Sequence, residues 1–248
     1  MKKKIACILV AIMALASLVA CGGSASGETL VMATSADFPP FQYYEGDQIV
    51  GLDVDIAKAI VDKLGMELEI EDMSFDAIIP AIQAGRADFA MAAMTVTEER
   101  MTQVDFSVSY YTGRQVVIVS EDNSDINTPD DLEGMSIGVQ IGTTGDILSS
   151  WEFGDENIQR FTRGMEAVQA LAQGSVDAVI IDDYPAHEFV NAVSGLRILP
   201  AEWLEEDYAI AFPQGSELVD KFNAAIEELK ANGTFQEIVD RHIGTGTD

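Results

Sequence analysis

Short apolar or alternating runs follow one another along the chain, separated by stretches whose apolar residues recur every three or four positions. The runs favour strands, and the second spacing is typical of a helix with one buried face. The pattern predicts strands at 30–34, 67–71, 89–94, 115–119, 136–139 and 178–181. It predicts helices at 53–64, 75–83, 165–172 and, as the last one, 218–230. This alternation indicates an α/β fold with largely parallel sheets.

Two segments share one order of features. Residues 81–91 and 170–180 each contain a helix end, a glycine, a turn, an aspartate and a buried strand. Two lobes built to one plan would produce this similarity. The common chemistry of helix-to-strand turns would produce it as well, so both explanations stay open.

The N-terminal part of the chain predicts export. Residues 1–20 combine three lysines with an apolar stretch, which is the pattern of a secretory signal peptide. Leu18-Val19-Ala20-Cys21 is similar to a bacterial lipobox, so we expect Cys21 to be lipidated and to begin a flexible tether at 21–28. These features predict an extracytoplasmic protein with a lipid anchor in the cell membrane. An ordinary cleaved signal with a chance cysteine is the alternative.

The sequence after Cys21 contains no cysteine, which excludes disulfides and thiolate metal sites from the fold. The most polar stretch, 121–131, lacks the spacing of a calcium loop because Ile126 stands where a ligand is needed. We therefore predict no metal and no cofactor.

Charge narrows the class of partner. Subtracting Lys2, Lys3 and Lys4 from the 14 basic residues leaves 11 against 42 acidic residues, a net charge of −31. Such a chain repels phosphate backbones, so nucleic acid is not expected to bind. Most of the acids are typical of a solvated surface. A cation in a cleft is correspondingly more informative.

Three strand ends carry unusual polar residues, and ligands of open α/β sheets bind at such ends. The first leads to Arg100, a cation in what the sequence predicts as the first turn of a helix capped by Thr97, where positive charge is disfavoured. The second is the glycine turn 142–145, and the third is Asp182. Each of these has a simpler explanation. Arg100 could pair with nearby glutamates on the surface, the glycine turn could contain an ordinary N-cap, and Asp182 could cap the turn that follows it.

Together these residues match the two charged ends of an amino acid. A guanidinium and helix-start N–H groups suit a carboxylate, and a lone aspartate suits an ammonium group. Phe38 and Phe75 could flank the aliphatic part of a side chain.

With these residues the chain resembles a known family, the bacterial extracellular solute-binding proteins (family 3) of polar amino-acid ABC transporters, which include glutamine- and histidine-binding proteins. The resemblance runs from about residue 30 to 244. Its main motifs are Phe38-Pro39-Pro40-Phe41, Gly51-Leu52-Asp53-Val54-Asp55, Phe75-Asp76-Ala77-Ile78-Ile79-Pro80, Thr95-Val96-Thr97-Glu98-Glu99-Arg100, Gly142-Thr143-Thr144, Val176-Asp177-Ala178 and Asn232-Gly233-Thr234.

The resemblance implies a two-lobed, type II periplasmic-binding-protein-like fold that closes on its ligand. Each lobe would be a mostly parallel sheet flanked by helices. Residues 29–109 plus 209–248 would form lobe 1 and 115–203 lobe 2, with hinge crossings near 110–114 and 204–208.

The resemblance also implies roles for single residues. Arg100 would clamp the ligand carboxylate with help from Thr95 and Thr144, and Asp182 would receive the ammonium group. Phe38 and Phe75 would wall the pocket, and the backbone carbonyl of Ala93 would also meet the ammonium group. Asp53 and Asp55 are expected to be mainly structural.

Two positions depart from the family pattern at the side-chain end of the pocket. Ser35 stands where relatives often carry an aspartate, and Gln140 stands where some carry a lysine. No second cation is found in the matched pocket, so an acidic ligand would bring an unpaired charge into an acidic protein. We therefore expect a neutral polar or cationic L-amino acid.

The expected function is capture of a free amino acid for ABC permease subunits, by a monomer and without catalysis. A ligand-sensing protein is the first alternative. A dehydratase-like enzyme on the same scaffold is the second, although the two histidines lie in no nucleophile motif.

Overall fold

The structure, a computed structural model, describes residues 27–200 and 204–244. The predicted signal peptide at 1–20, Cys21 and the tether up to residue 26 lie outside the described residues, as do 201–203 and 245–248. Within the described ranges, no helix has the length and apolar character that a membrane crossing requires.

Strands and helices alternate along most of the chain. The strands are β1 (Thr29–Thr34), β2 (Asp37–Phe38), β3 (Gln42–Glu45), β4 (Gln48–Val50), β5 (Glu67–Asp72), β6 (Phe89–Ala90), β7 (Asp105–Phe106), β8 (Tyr111–Ser120), β9 (Ile137–Gln140), β10 (Ile158–Phe161), β11 (Ala178–Asp182), β12 (Leu196–Ile198), β13 (Leu204–Tyr208) and β14 (Ala211–Phe212). The α-helices are α1 (Leu52–Lys63), α2 (Phe75–Gln83), α3 (Glu98–Met101), α4 (Thr144–Phe153), α5 (Gly164–Ala172), α6 (Asp183–Ala192), α7 (Leu218–Ala231) and α8 (Thr234–Ile243). Single turns of 3₁₀ helix occupy Pro129–Leu132 and Asp155–Asn157.

Two sheets define two lobes, which confirms the predicted α/β class. The first lobe carries a five-stranded sheet in the order β5-β1-β6-β14-β7. The second carries β10-β9-β11-β8-β12, and β13 also pairs with β8. Buried residues such as Met32 and Ile60 pack in the first lobe, and Val117 and Val139 pack in the second. Each lobe thus has its own sheet, and one cluster of buried apolar residues continues from Met32 in the first lobe to Ile181 in the second.

Helix α1 shows how local sequence sets these elements. It begins after Gly51, which has a φ of 129°. A Cβ atom at this position would overlap the carbonyl of Phe41, so only glycine fits. Asp53 and Asp55 in its first turn and Lys63 in its last turn all suit the helix dipole. The buried residues recur at helical spacing, so one face enters the core.

The two segments predicted as hinge crossings lie side by side. The start of β8 pairs antiparallel with β13, with Tyr111 opposite Tyr208 and Gln115 opposite Leu204. A bridge between Thr95 and Tyr208 joins this ribbon to the first lobe. The exact lobe boundaries stay a prediction, but the ribbon lies between the two sheets where the chain passes from one to the other.

Two predictions about elements were wrong. The strand expected at 89–94 ends at Ala90, because the chain then turns through Ala93, whose φ is 47°. The helix at 218–230 is not the last one, since α8 follows Gly233, whose φ is 86°. Parallel pairing joins β1 to β5 and β6, and β9 to β10 and β11. Among the described strands, only β14 in the first sheet and β8 in the second run antiparallel to their neighbours, so each sheet is mostly parallel, as predicted.

Gly113 in β8 provides a test of the ribbon. A Cβ atom at this position would overlap the phenol oxygen and Cζ of Tyr208. We expect Gly113→Ala to lower the free energy of unfolding by about 1–3 kcal/mol, the usual cost of overpacking, measured by urea denaturation. In a Tyr208→Leu background, which removes the overlapping atoms, the same change should cost much less. Equal costs in both backgrounds would contradict the proposed contact.

Candidate functional site

A small cavity lies between the lobes, at the ends of several strands. It has an empty volume of about 300 Å³. The residues that line it are Phe38, Gln42, Phe75, Ala92, Ala93, Thr95, Arg100, Gln140, Thr143, Thr144 and Asp182. All the predicted ligand-binding residues except Ser35 are in this set. The structure therefore brings together, from both lobes, side chains that are far apart in the sequence.

Arg100 is the central cation of the cavity and is only 4% exposed. Its backbone N–H donates to Thr97 Oγ1 at 3.1 Å, which is the predicted N-cap. The guanidinium donates to the carbonyl of Thr95 at 2.7 Å and, across the cleft, to the carbonyl of Gly142 at 3.0 Å. Its Cζ atom lies 5.2 Å from the centre of the Phe75 ring. In the described chain, its side-chain hydrogen bonds thus go only to neutral carbonyls.

The helix that carries Arg100 is shorter than the sequence suggested. Helix α3 is a single turn, so Arg100 is as close to its C-terminal end as to its N-terminal end. The unfavourable interaction between Arg100 and the helix dipole, which we inferred from the sequence, is therefore small. The burial of the guanidinium is the informative feature, because burial lowers the pKa of Arg100. The negative charges of Glu206, Asp182 and Glu99 act in the opposite direction.

Asp182 ends β11 and is the main carboxylate of the cavity. Gln115 Nε2 donates to its Oδ2 at 2.9 Å, and the hydroxyl of Tyr208 donates to its Oδ1. Burial, followed by the negative charge of Glu206, raises the pKa of Asp182 to about 8, while the two hydrogen bonds lower it. Without a ligand cation, this carboxyl group therefore holds a proton near neutral pH.

Glu206 is a second buried carboxylate that the sequence analysis missed. Its Oε2 accepts hydrogen bonds from Thr95 Oγ1 and Gln115 Nε2, both at 3.0 Å. Its Oε1 has no hydrogen-bond partner in the described chain. In the sequence it belongs to the acidic run 205–207, which is typical of a solvated segment. The available clue was the alternation of a strand, which places Glu206 and Tyr208 on one face.

Ala93 owes its conformation to a buried aspartate. The backbone N–H of Ala93 donates to Asp53 Oδ2 at 2.8 Å, and the Tyr110 hydroxyl lies 2.9 and 3.0 Å from the two oxygens of Asp53. Burial raises the pKa of Asp53 to about 6, against the opposing effect of these hydrogen bonds. Asp53 is structural, as expected, and it holds a cavity residue in a left-handed conformation that L-residues rarely adopt.

Thr143 and Thr144 at the start of α4 differ in their hydrogen bonds. Thr143 is the N-cap, because its Oγ1 accepts from the N–H of Asp146 at 3.2 Å and donates to the carbonyl of Gln140 at 2.8 Å. Thr144 is a buried residue, and its hydroxyl forms no hydrogen bond within the described part of the chain. Of the two threonines, Thr144 therefore has the hydroxyl that a ligand could use.

Ser35 does not line the cavity. Its hydroxyl donates to Asp37 Oδ1 at 2.9 Å and lies 3.3 Å from a guanidinium nitrogen of Arg163. Ser35 therefore does not contact the cavity in this structure, and its expected place at the side-chain end of the pocket stays a prediction. Gln140 does line the cavity, and its Nε2 donates to the carbonyl of Thr162 at 3.3 Å.

Arg163 belongs to a charged cluster that spans the lobes outside the cavity. This side chain of the second lobe contacts Asp37 at 3.2 Å and Asp72 at 3.0 Å, both in the first lobe. The N–H of Gly164 also donates to Asp37 Oδ2 at 3.1 Å. The charge of Arg163 is therefore already matched by two carboxylates, and the cluster holds the lobes together in this conformation.

Comparisons with known proteins give one consistent result. The family model of the bacterial extracellular solute-binding proteins, family 3, matches residues 30–245. The arginine-binding extracellular protein ArtP of Bacillus subtilis strain 168 is 41% identical over 95% of this chain and 96% of its own length. A structure of an ancestral arginine-binding protein bound to arginine is 40% identical, with a TM-score of 0.83 over 88% of this chain and 100% of its own. A structure of an ancestral arginine-binding protein bound to glutamine is 39% identical, with a TM-score of 0.81 over 87% of this chain and 98% of its own.

Asp182 gives this site a predicted effect of pH on stability. In the unfolded chain an aspartate ionises near pH 3.9, whereas in the folded protein Asp182 keeps its proton up to about pH 8. The contribution of Asp182 to stability therefore falls as pH rises through this window. Because an asparagine does not titrate, Asp182→Asn should gain melting temperature relative to the wild type between pH 4.5 and pH 8.

Calorimetric melting of the ligand-free proteins checks this expectation. Asp47→Asn, in the exposed turn between β3 and β4, is the matched control and should follow the wild type at every pH. Melting curves of wild type and Asp182→Asn that shift in parallel with pH would refute the assigned protonation of Asp182.

Proposed function

The chain belongs to the bacterial extracellular solute-binding proteins of family 3, and from this premise we propose that it captures a cationic or neutral polar L-amino acid, arginine first. As a family member it is an amino-acid-binding protein of ABC transporters and not an enzyme. Arginine comes first because relatives similar over nearly the whole chain are arginine-binding proteins. Capture for a permease also fits the export features of the sequence.

The buried guanidinium of Arg100 carries the proposal. It is desolvated, yet its hydrogen bonds in the described chain go to carbonyls of Thr95 and Gly142. Arginine forms its strongest hydrogen bonds with carboxylates, often in bidentate geometry. A ligand carboxylate would supply this missing charge, and the hydroxyl of Thr144 would assist it. Since Arg100 and Gly142 lie on opposite lobes, a ligand here would connect them.

The opposite charge of the ligand has an equally clear partner. Asp182 lies in the same cavity and would receive the ammonium group after losing its proton. The unpaired oxygen of Glu206 adds negative charge close to Asp182. The carbonyl of Ala93, held in place through Asp53, is a further acceptor that we assign to the ammonium group.

The charges around the cavity favour a ligand that is not acidic. Arg100 would be committed to the main-chain carboxylate, and Arg163 is already paired with Asp37 and Asp72. A second ligand carboxylate would remain unpaired beside Asp182 and Glu206, which is costly in a buried site. A cationic side chain instead meets negative potential and the rings of Phe38 and Phe75, which attract cations over their faces.

We also propose that lipidated Cys21 anchors the protein at the outer face of the cell membrane, next to its permease. The support is the order of signal, cysteine and tether in residues 1–28. Cells that express the full chain and are fed a clickable fatty acid should label the wild-type protein and not Cys21→Ala. Label on both proteins, or on neither, would contradict anchoring through this cysteine.

Titration calorimetry tests the ligand and the role of Arg100 together. Wild-type protein should bind arginine more tightly than glutamate. Arg100→Met should weaken arginine binding by about 10- to 100-fold, because the variant removes a charge-assisted hydrogen-bonded pair. Arg86→Met, at an exposed position, is the matched control and should bind like the wild type.

Two results would contradict the proposal. Glutamate as the tightest ligand would overturn the charge argument. Unchanged arginine affinity in Arg100→Met would overturn the carboxylate assignment. The melting temperature of ligand-free Arg100→Met serves as the folding check.

A further inference from the structure

The side chain of Gln42 is an unpaired polar group in the wall of the cavity. Gln42 is only 1% exposed, and its Oε1 has no hydrogen-bond partner in the described chain. Buried polar groups are almost always hydrogen-bonded, so an unpaired amide oxygen requires an explanation. Of the four buried side-chain atoms without a partner in the described chain, only Gln42 Oε1 belongs to a residue that lines the cavity. Gln42 lines the cavity, which makes a ligand the obvious missing partner.

The position of Gln42 points to the side chain of the ligand. In the register of β2 and β3, Gln42 lies directly opposite Phe38. Residues opposite each other project on the same face of a sheet, so the amide lies beside the ring that walls the cavity. The proposed function already assigns the ligand's carboxylate to Arg100 and its ammonium group to Asp182. The part of the ligand left for Gln42 is its side chain.

We infer that Gln42 is a specificity-determining residue that hydrogen-bonds the planar nitrogen-containing end group of the ligand side chain. An amide oxygen accepts from the N–H groups of a guanidinium, and the amide turned by 180° donates to a carboxamide oxygen. Gln42 therefore suits arginine and, more weakly, glutamine. It adds no charge, so it does not select strictly for a cation.

The same chemistry disfavours lysine. A guanidinium is planar and weakly hydrated, whereas an ammonium group is compact and strongly hydrated. A single neutral amide between aromatic rings compensates poorly for the lost hydration of an ammonium group. The expected order of affinity is arginine, then glutamine, then lysine.

Calorimetric titration of arginine, glutamine and lysine into three variants tests this inference, which rests on the proposed function. Gln42→Leu removes the amide and should weaken arginine and glutamine binding at least tenfold, with little change for lysine. Gln42→Glu adds a charge and should raise the ratio of arginine to glutamine affinity at least tenfold. Gln83→Leu, at the exposed end of α2, is the control and should leave all three affinities unchanged.

The outcomes separate the two proposals. A wild type that binds no amino acid would overturn the proposed function and this inference with it. A wild type that binds arginine, with unchanged affinity ratios in the variants at Gln42, would overturn this inference alone. If Gln42→Leu fails to fold, the ratio measured for Gln42→Glu decides.

Discussion

A buried guanidinium with no carboxylate against it is the constraint around which this protein is organised. Removing a charge from water is costly unless other groups replace the lost hydration. Two backbone carbonyls, one from each lobe, replace part of the lost hydration of Arg100. The more distant negative charges of Glu206, Asp182 and Glu99 compensate for a further part. The arrangement leaves the cation both charged and incompletely paired. The ligand carboxylate proposed above would complete this pairing.

The ribbon between the lobes contributes several polar groups around Arg100 and Asp182. Tyr208 and Glu206 lie on β13, and Gln115 lies on the paired strand β8. Through Tyr208 and Gln115 the ribbon contacts Asp182, and through Glu206 it contacts Thr95 of the first lobe. The polar network of the cavity is therefore built partly from the segment where the lobes are joined. A change of charge in the cavity acts directly on that segment.

The sequence predicted most of the fold because periodicity and glycine turns are local features. It also pointed to Arg100 and Asp182, two cavity residues that follow apolar runs in the sequence. It missed Glu206 because an acidic run in a strand does not reveal which side chain is buried. It missed Gln42 because only the three-dimensional packing shows that this amide has no partner. The sequence did not show that Ser35 contacts Asp37 and Arg163, because Arg163 lies in the second lobe, 128 residues away.

The cluster of Arg163, Asp37 and Asp72 has a consequence for how such a protein can evolve. It bridges the lobes without lining the cavity. If the lobes close on the ligand as the family resemblance implies, the strength of this cluster would set the ratio of closed to open molecules before any ligand arrives. Apparent affinity scales with the fraction of molecules already competent to bind. Under that closure, substitutions in the cluster would multiply the affinity for every ligand by one common factor, whereas substitutions in the cavity would change the ranking of ligands. The affinity and the selectivity of ligand binding would then be separate properties, each open to independent selection.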